Sequence, residues 1–283
     1  MNEFTADNYT RFLMNVHAGH PGLTEQSIGT ARTPSGLSSY EAFCSFVDPK
    51  PGMTVVDIAC GNGPLCEILA QRVGEHGQVI GIDLSHAELD QAAKRLRHLP
   101  RVRLLNESAQ KLSMADRSVD AVLCHMALML FSPLKPAVEE IARILKSGGV
   151  FAAVVPTLRK PTGLFTQCAS ALRDVLTEER HRLDALSGNA VKMNGMDDLK
   201  VIFADPDWRS DEMEICDIDA SVAASPENLA VLVAPAFYHY QLLSPESRSR
   251  IEREWTVLFD QHRDPDRTTR FHFPLSAFVV MKR

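Results

Sequence analysis

The segment from Val55 to Leu65, reading VVDIACGNGPL, restricts the fold of this chain more than any other. Val55 to Ala59 is a short apolar run, the pattern of a strand buried on both faces of a parallel sheet. Asp57 interrupts the run, and Gly61 and Gly63 follow in a turn. Glycine lets backbone and ligand approach where a Cβ would intrude. Pro64 suits a first helical turn, and Leu65, Ile68, Leu69 and Val73 mark one face of the helix that begins there. That helix start places free N–H groups and the positive end of a dipole beside the glycine turn.

The strand and helix rhythm continues to Val155. Val79 to Asp83, Val102 to Leu105, Val119 to Cys124 and Val150 to Val155 read as strands. Ser85-His86-Ala87-Glu88 reads as a capping box that opens a helix with Leu89, Ala92, Ala93 and Leu96 on its core side. Pro136 to Leu145 reads as a helix ended by Ser147-Gly148-Gly149. Such alternation implies a doubly wound α/β sheet that binds ligands outside the carboxyl ends of its strands.

Flanking segments divide the chain further. Residues 1–50 form an N-terminal helical cap, with Tyr9, Phe12, Leu13 and Val16 at helical spacing before the break at His20-Pro21-Gly22, and a short helix from Ser39 to Val47. Residues 51–156 are the binding core. Residues 157–194 read as a helical insertion. Residues 195–283 supply the remainder: a helix from Met196 to Ala204, a strand from Asp211 to Ile218, a helical lid at about 225–270, and a final strand from Leu275 to Met281.

Composition narrows the function. The chain has 36 acidic against 30 basic residues and a net charge of -6, without the basic footprint of a nucleic-acid enzyme. The basic run Lys94, Arg95, Arg97, Arg101 and Arg103 reads as a solvated helix end. Six cysteines, none in a C-x-x-C pair, suggest reduced thiols in a cytoplasmic protein and argue against a zinc site. No signal-peptide pattern opens the chain. Its most apolar stretch, from Ala121 to Phe131, is shorter than the roughly 20 residues that span a bilayer.

The glycine turn admits two nucleotide readings. A dinucleotide loop needs a third glycine, where this chain has Cys66, and Asp57 would repel a pyrophosphate. An acid suits a ligand that presents an ammonium group. Asp83 ends the next strand, twenty residues after Gly63, where a carboxylate can accept both hydroxyls of a ribose.

The segments VVDIACGNGPL, VIGIDLS, SVDAVLCHMAL and EIARILKSGGVFAAV, in this order, resemble those of class I S-adenosylmethionine-dependent methyltransferases, near the ubiquinone/menaquinone-methyltransferase-like group. The resemblance implies a Rossmann-like, mostly parallel seven-stranded sheet whose last strand is antiparallel, with helical cap insertions. It implies S-adenosylmethionine as cofactor, no metal, and a small-molecule acceptor. Nucleic acid and membrane are not expected partners, and a homodimer is compatible with the pattern. By position, Asp57 would meet the methionyl ammonium, Ala59, Gly61 and Gly63 would cradle the cofactor, Asp83 would hold the ribose and Leu84 would pack on the adenine. Ser108, followed by Ala109, stands where the family often has an acid on the adenine amino group.

Methyl transfer from a sulfonium chiefly demands alignment and exclusion of water. His125, just after the fourth strand, is the catalytic candidate and also borders the cofactor site; an ordinary histidine pKa of ~6.5 suits a base near neutrality. The competing role is to shape the pocket or bond locally. His17, His20 and His239 are rivals. Met126, Met129 and Phe131 face either a substrate or the core. Tyr238 and Tyr240, in the proline-interrupted stretch from Leu229 to Leu243, belong either to a lid over the substrate or to ordinary packing. Met129, Tyr238 and Tyr240 are therefore the substrate-binding candidates. Besides a small-molecule methyltransferase, the sequence admits a cofactor-binding protein that transfers no methyl group.

Overall fold

A computed structural model describes residues 8–156, 163–179 and 196–283. Most of the 157–194 insertion lies outside the described residues; within it, one helix runs from Gly163 to Glu178.

The core strands are β1 (Thr54–Ile58), β2 (Gln78–Asp83), β3 (Val102–Asn106), β4 (Val119–His125), β5 (Leu145–Pro156), β6 (Glu214–Ala224) and β7 (Thr269–Met281). They form one seven-stranded sheet in the order β3-β2-β1-β4-β5-β7-β6. The first five strands are parallel, and β7 is antiparallel to both β5 and β6. The described helices, in chain order, are α1 (Asn8–Gly19), α2 (Leu23–Gln26), α3 (Ser39–Val47), α4 (Pro64–Val73), α5 (His86–Leu96), α6 (Leu134–Ile144), α7 (Gly163–Glu178), α8 (Met196–Ile202), α9 (Pro226–Val233) and α10 (Pro245–Asp260).

The period-two alternation of the strands sorts their side chains onto two faces. Val55, Val79, Leu123 and Val154 face one buried cluster shared with α3, α4, α5, α7, α9 and α10. Val56, Ile80, Val122 and Phe151 face a second cluster with α6 and α8, where Trp208, Phe203, Phe151 and Phe278 pack edge to face or tilted. Both faces are covered, which is why β1 reads as apolar apart from Asp57.

Several boundaries differ from the sequence reading, each for a local reason. The helix before β5 runs from Leu134 to Ile144, and β5 begins at Leu145. Gly148 and Gly149 do not simply end a helix; they exchange backbone hydrogen bonds with Lys282 at 3.0 and 2.8 Å. The final strand begins at Thr269, ahead of Pro274. Strand β5 ends opposite Leu275, so Pro274 lies where β7 is paired with β6 alone and its missing N–H costs no bond to β5. Strand β6 runs from Glu214 to Ala224, further than the predicted Asp211 to Ile218. The capping box at Ser85 is half formed: Ser85 Oγ accepts from Glu88 N, but the Glu88 carboxylate turns elsewhere. The complete box sits at Ser38 and Glu41, opening α3.

The loop between β1 and α4 takes its shape from Gly63. Its φ of 84° is left-handed, and a Cβ there would meet Leu96 Cδ1 at 2.8 Å. Gly63→Ala should therefore destabilise the protein by about 1–3 kcal/mol, through backbone strain plus the displacement of Leu96. Urea unfolding would show the drop in midpoint; an unchanged midpoint would mean that loop and α5 part freely.

Candidate active site

A cleft with about 1080 Å³ of empty space, open solvent included, lies outside the carboxyl ends of β1, β2 and β4. Helix α1 and the segment through α2 roof it with Leu13, Met14, His17 and Thr24. This is where a doubly wound sheet places ligands, at the point where neighbouring crossovers leave in opposite directions.

Two acids form its floor. Asp57, in β1, is 1% exposed and accepts a hydrogen bond from Cys66 Sγ at 3.2 Å. Burial pushes its carboxyl up to about 7. Asp83, at the end of β2, accepts from Gly61 N through Oδ2 and from Ser85 N through Oδ1, both at 2.8 Å. Burial raises its pKa as well. The intervening loop bends through Ala59 and Gly61, both at positive φ (58° and 53°). Left-handed backbone in a non-glycine residue marks a loop held in shape by its surroundings.

The roof is fastened by carboxylates that the sequence reading did not assign. Glu88 is 2% exposed and accepts from Gly22 N at 3.0 and 2.9 Å and from His17 Nδ1 at 2.7 Å. The Tyr238 hydroxyl lies 3.4 Å from both His17 Nε2 and Thr24 Oγ1. Glu25, on α2, accepts from Asn62 Nδ2 at 2.6 Å and from Arg95 Nη2 at 2.8 Å. The sequence signal for Glu88 was its spacing from Ser85, read as a capping box; its bonding to residues 66 to 71 positions away left no local trace.

Of the residues singled out by sequence, Asp57, Ala59, Gly61, Asp83, Leu84, Ala109, His125, His17 and Tyr238 line the cavity. Met126 and Phe131 do too, beside core neighbours. Gly63 caps α4 behind the wall. Ser108 is buried beside the lining, its hydroxyl bonded to Gln110. Met129 packs between the two apolar clusters. Tyr240 faces away: its ring stacks on Trp255, and its hydroxyl donates to Glu252 on α10. His20 and His239 are exposed and outside the lining. Segment 225–270 thus gives the cavity Tyr238 and also packs against α2, α7, β6 and β7.

His125 departs from the ordinary histidine assumed above. It is buried, shares a hydrogen bond between Nε2 and Ser39 Oγ at 3.0 Å, and lies against the Tyr40 ring with centroids 4.0 Å apart. Its Nδ1 has no partner among the described residues. Burial pushes its pKa down to about 3, so the imidazole is neutral at pH 7. The native state refuses a proton that the unfolded chain takes near pH ~6.5. Stability from this group is present above that pH and is lost as pH falls from there toward about 3. ¹⁵N NMR of the ligand-free protein should show His125 uncharged from pH 8 to pH 5; titration near 6.5 would overturn this.

Comparison with known proteins agrees with the site. Residues 55–149 match the family of methyltransferase domains. A demethylmenaquinone methyltransferase of Desulfitobacterium hafniense (strain Y51) is 37% identical over 119 residues, covering 41% of this chain and 46% of the relative. The match thus spans less than half of that relative's length. Among solved structures, the YcgJ protein of Bacillus subtilis aligns over 87% of this chain and 98% of its own, with a TM-score of 0.55 and 18% identity. A phosphoethanolamine N-methyltransferase 2 of Haemonchus contortus, solved with phosphomonomethylethanolamine and S-adenosylhomocysteine, aligns over 98% of this chain and 60% of its own, with a TM-score of 0.60 and 15% identity. At these identities the structures speak to fold alone. The sheet order, the acid-bearing glycine loop and the matched segment agree: the chain carries, over residues 55–149, a methyltransferase domain of the class I S-adenosylmethionine-dependent family, distantly similar to the demethylmenaquinone methyltransferases.

Proposed function

We propose that this protein transfers a methyl group from S-adenosylmethionine to a small-molecule acceptor by in-line displacement. The observation that carries this reading is the charge of the cavity. Glu25, Asp57, Asp83, Glu88 and Glu107 line it, and no lysine or arginine is among the described lining residues. A pyrophosphate would enter this lining against repulsion. A ligand with ammonium and sulfonium groups is complementary to it.

Asp57 is placed to take the ammonium, with the backbone from Ala59 to Gly61 alongside. Asp83 spends one lone pair per oxygen on Gly61 and Ser85 and keeps others for ribose hydroxyls. Leu84 and Ala109 offer an apolar slot for a purine, with Ser108 just behind. Bound there, the cofactor would supply an electrophilic methyl group. The roof of α1 and α2 excludes water and aligns the acceptor.

The wall away from Asp83 holds His125, Tyr40, Met126, Leu130 and Phe131. It is apolar, with the free Nδ1 of His125 as a polar point. A neutral imidazole fixed by Ser39 suits a hydrogen-bonding role toward the acceptor, and we assign His125 that role ahead of general base. The methyltransferase names carried by the relatives agree with a small acceptor.

S-adenosylhomocysteine should raise the melting temperature, because a ligand that binds only the native state stabilises it by mass action. NAD should not. A shift with NAD and none with S-adenosylhomocysteine would reject the assignment. Asp83→Ala should weaken S-adenosylhomocysteine binding by roughly tenfold or more, since two ribose bonds and the Gly61 tether go together. Once an acceptor is in hand, His125→Gln should keep most of the rate that His125→Ala loses. Equal loss in both variants, with removal of an acidic limb from the pH–rate profile, would restore the general-base role.

A further inference from the structure

Asp57 is held almost entirely by one residue. Cys66 Sγ–H donates to Asp57 Oδ2 at 3.2 Å, and the backbone N–H of Cys66 bonds the same carboxyl group. Cys66 is the third residue of α4, so this N–H is one of the first-turn donors that a helix leaves unpaired. Both residues are buried. The thiol keeps its proton: its hydrogen bond with Cys60, then burial, then the neighbouring Asp57 all raise its pKa well above the usual value.

The other titratable groups facing Asp57 come from each element around it. They are Asp83 from β2, Cys60 from the glycine loop, Cys124 from β4 and Tyr40 from α3. Asp83 repels a second negative charge, and the two cysteines and the tyrosine are neutral at pH 7. The nearby roof pair, His17 and Glu88, is bonded to itself. The carboxyl therefore has the Cys66 thiol and N–H as donors and, among the described residues, no cation bonded to it.

We propose that Cys66 is a positioning residue for ligand binding, its thiol fixing Asp57 and helping to set when that carboxyl releases a proton to admit an ammonium group. The inference rests on the S-adenosylmethionine reading of the cavity. The balance is simple: the neutral carboxyl gives its proton to solvent, and the resulting carboxylate pairs with the ligand's ammonium. With burial holding the ligand-free carboxyl up at about 7, it keeps its proton in weakly acidic solution. Affinity should be level above the midpoint and fall up to tenfold per pH unit below it.

A thiol is a weak donor to the charged form. A hydroxyl at the same place donates more strongly, and a methyl group not at all. Cys66→Ser should thus move the midpoint down, and Cys66→Ala should move it up. A residue that merely fills space would move both variants the same way or neither.

The experiment is calorimetric titration with S-adenosylhomocysteine at pH 6, 7 and 8.5, in buffers of differing ionisation enthalpy. About one proton should leave per ligand bound at pH 6, and almost none at pH 8.5. Asp57→Asn should abolish the release. Binding without pH-dependent proton release overturns the proposal while leaving the cofactor reading intact. No binding at any pH overturns the cofactor reading. A ¹³C NMR titration of the Asp57 carboxyl in the ligand-free protein then decides the role of Cys66 without a ligand. A midpoint near 7 that moves oppositely in the serine and alanine variants supports it. A midpoint in the usual carboxylate range, or parallel shifts, overturns it. Thermal unfolding of each variant confirms that it is folded.

Discussion

The two hydrogen bonds accepted by Asp83 hold the site together. One reaches Gly61 in the loop after β1 and the other reaches Ser85 at the start of α5. A single carboxylate thereby ties two successive crossovers of the sheet. It fixes the glycine loop in its left-handed bend and aims α5 so that Glu88 points toward the roof. Glu88 then satisfies Gly22 N and His17 at once, and α1 and α2 settle over the cavity. Bonds to a charged acceptor are roughly twice as strong as neutral ones, and these lie in surroundings that screen them little.

The floor and the roof differ in how they are built. The floor is largely local: β1, the glycine turn and α4 occupy twenty consecutive residues, Thr54 to Val73, and Asp83 joins them from the end of β2. The roof depends on partners far along the chain, with Tyr238 meeting His17 and Thr24 across more than two hundred residues. The floor recurs in the matched family segment, whereas α1, α2 and Tyr238 lie outside it.

The same division explains what could be read from the sequence. Strands β1 to β5 and their helices were legible because apolar runs, glycine turns and a helix start are short-range signals. Asp57 and Asp83 were legible as acids at strand ends. Glu88 looked like half of a capping box, because a sequence shows its spacing from Ser85 but not the helix that docks on it. Tyr240 looked like a neighbour of Tyr238 with the same task; the turn between them sends one ring to the cavity and the other to Trp255. His125 lines the cavity, but burial against Tyr40 changes its chemistry, and burial by distant residues is not a local signal.

The acidic lining of the cleft bears on turnover as well as on recognition. A concave, largely apolar wall concentrates field lines, so the carboxylates together generate a negative potential at the mouth. A sulfonium nucleoside approaches with one more positive charge than the thioether that remains after its methyl group has left. On the proposed function, an incoming donor would feel an attraction that the spent product has lost, so capture and expulsion would be biased in the same direction by a fixed feature of the fold. Such a bias acts through space and is strongest in dilute buffer. It fades as ionic strength rises and the Debye length contracts to the width of the cleft.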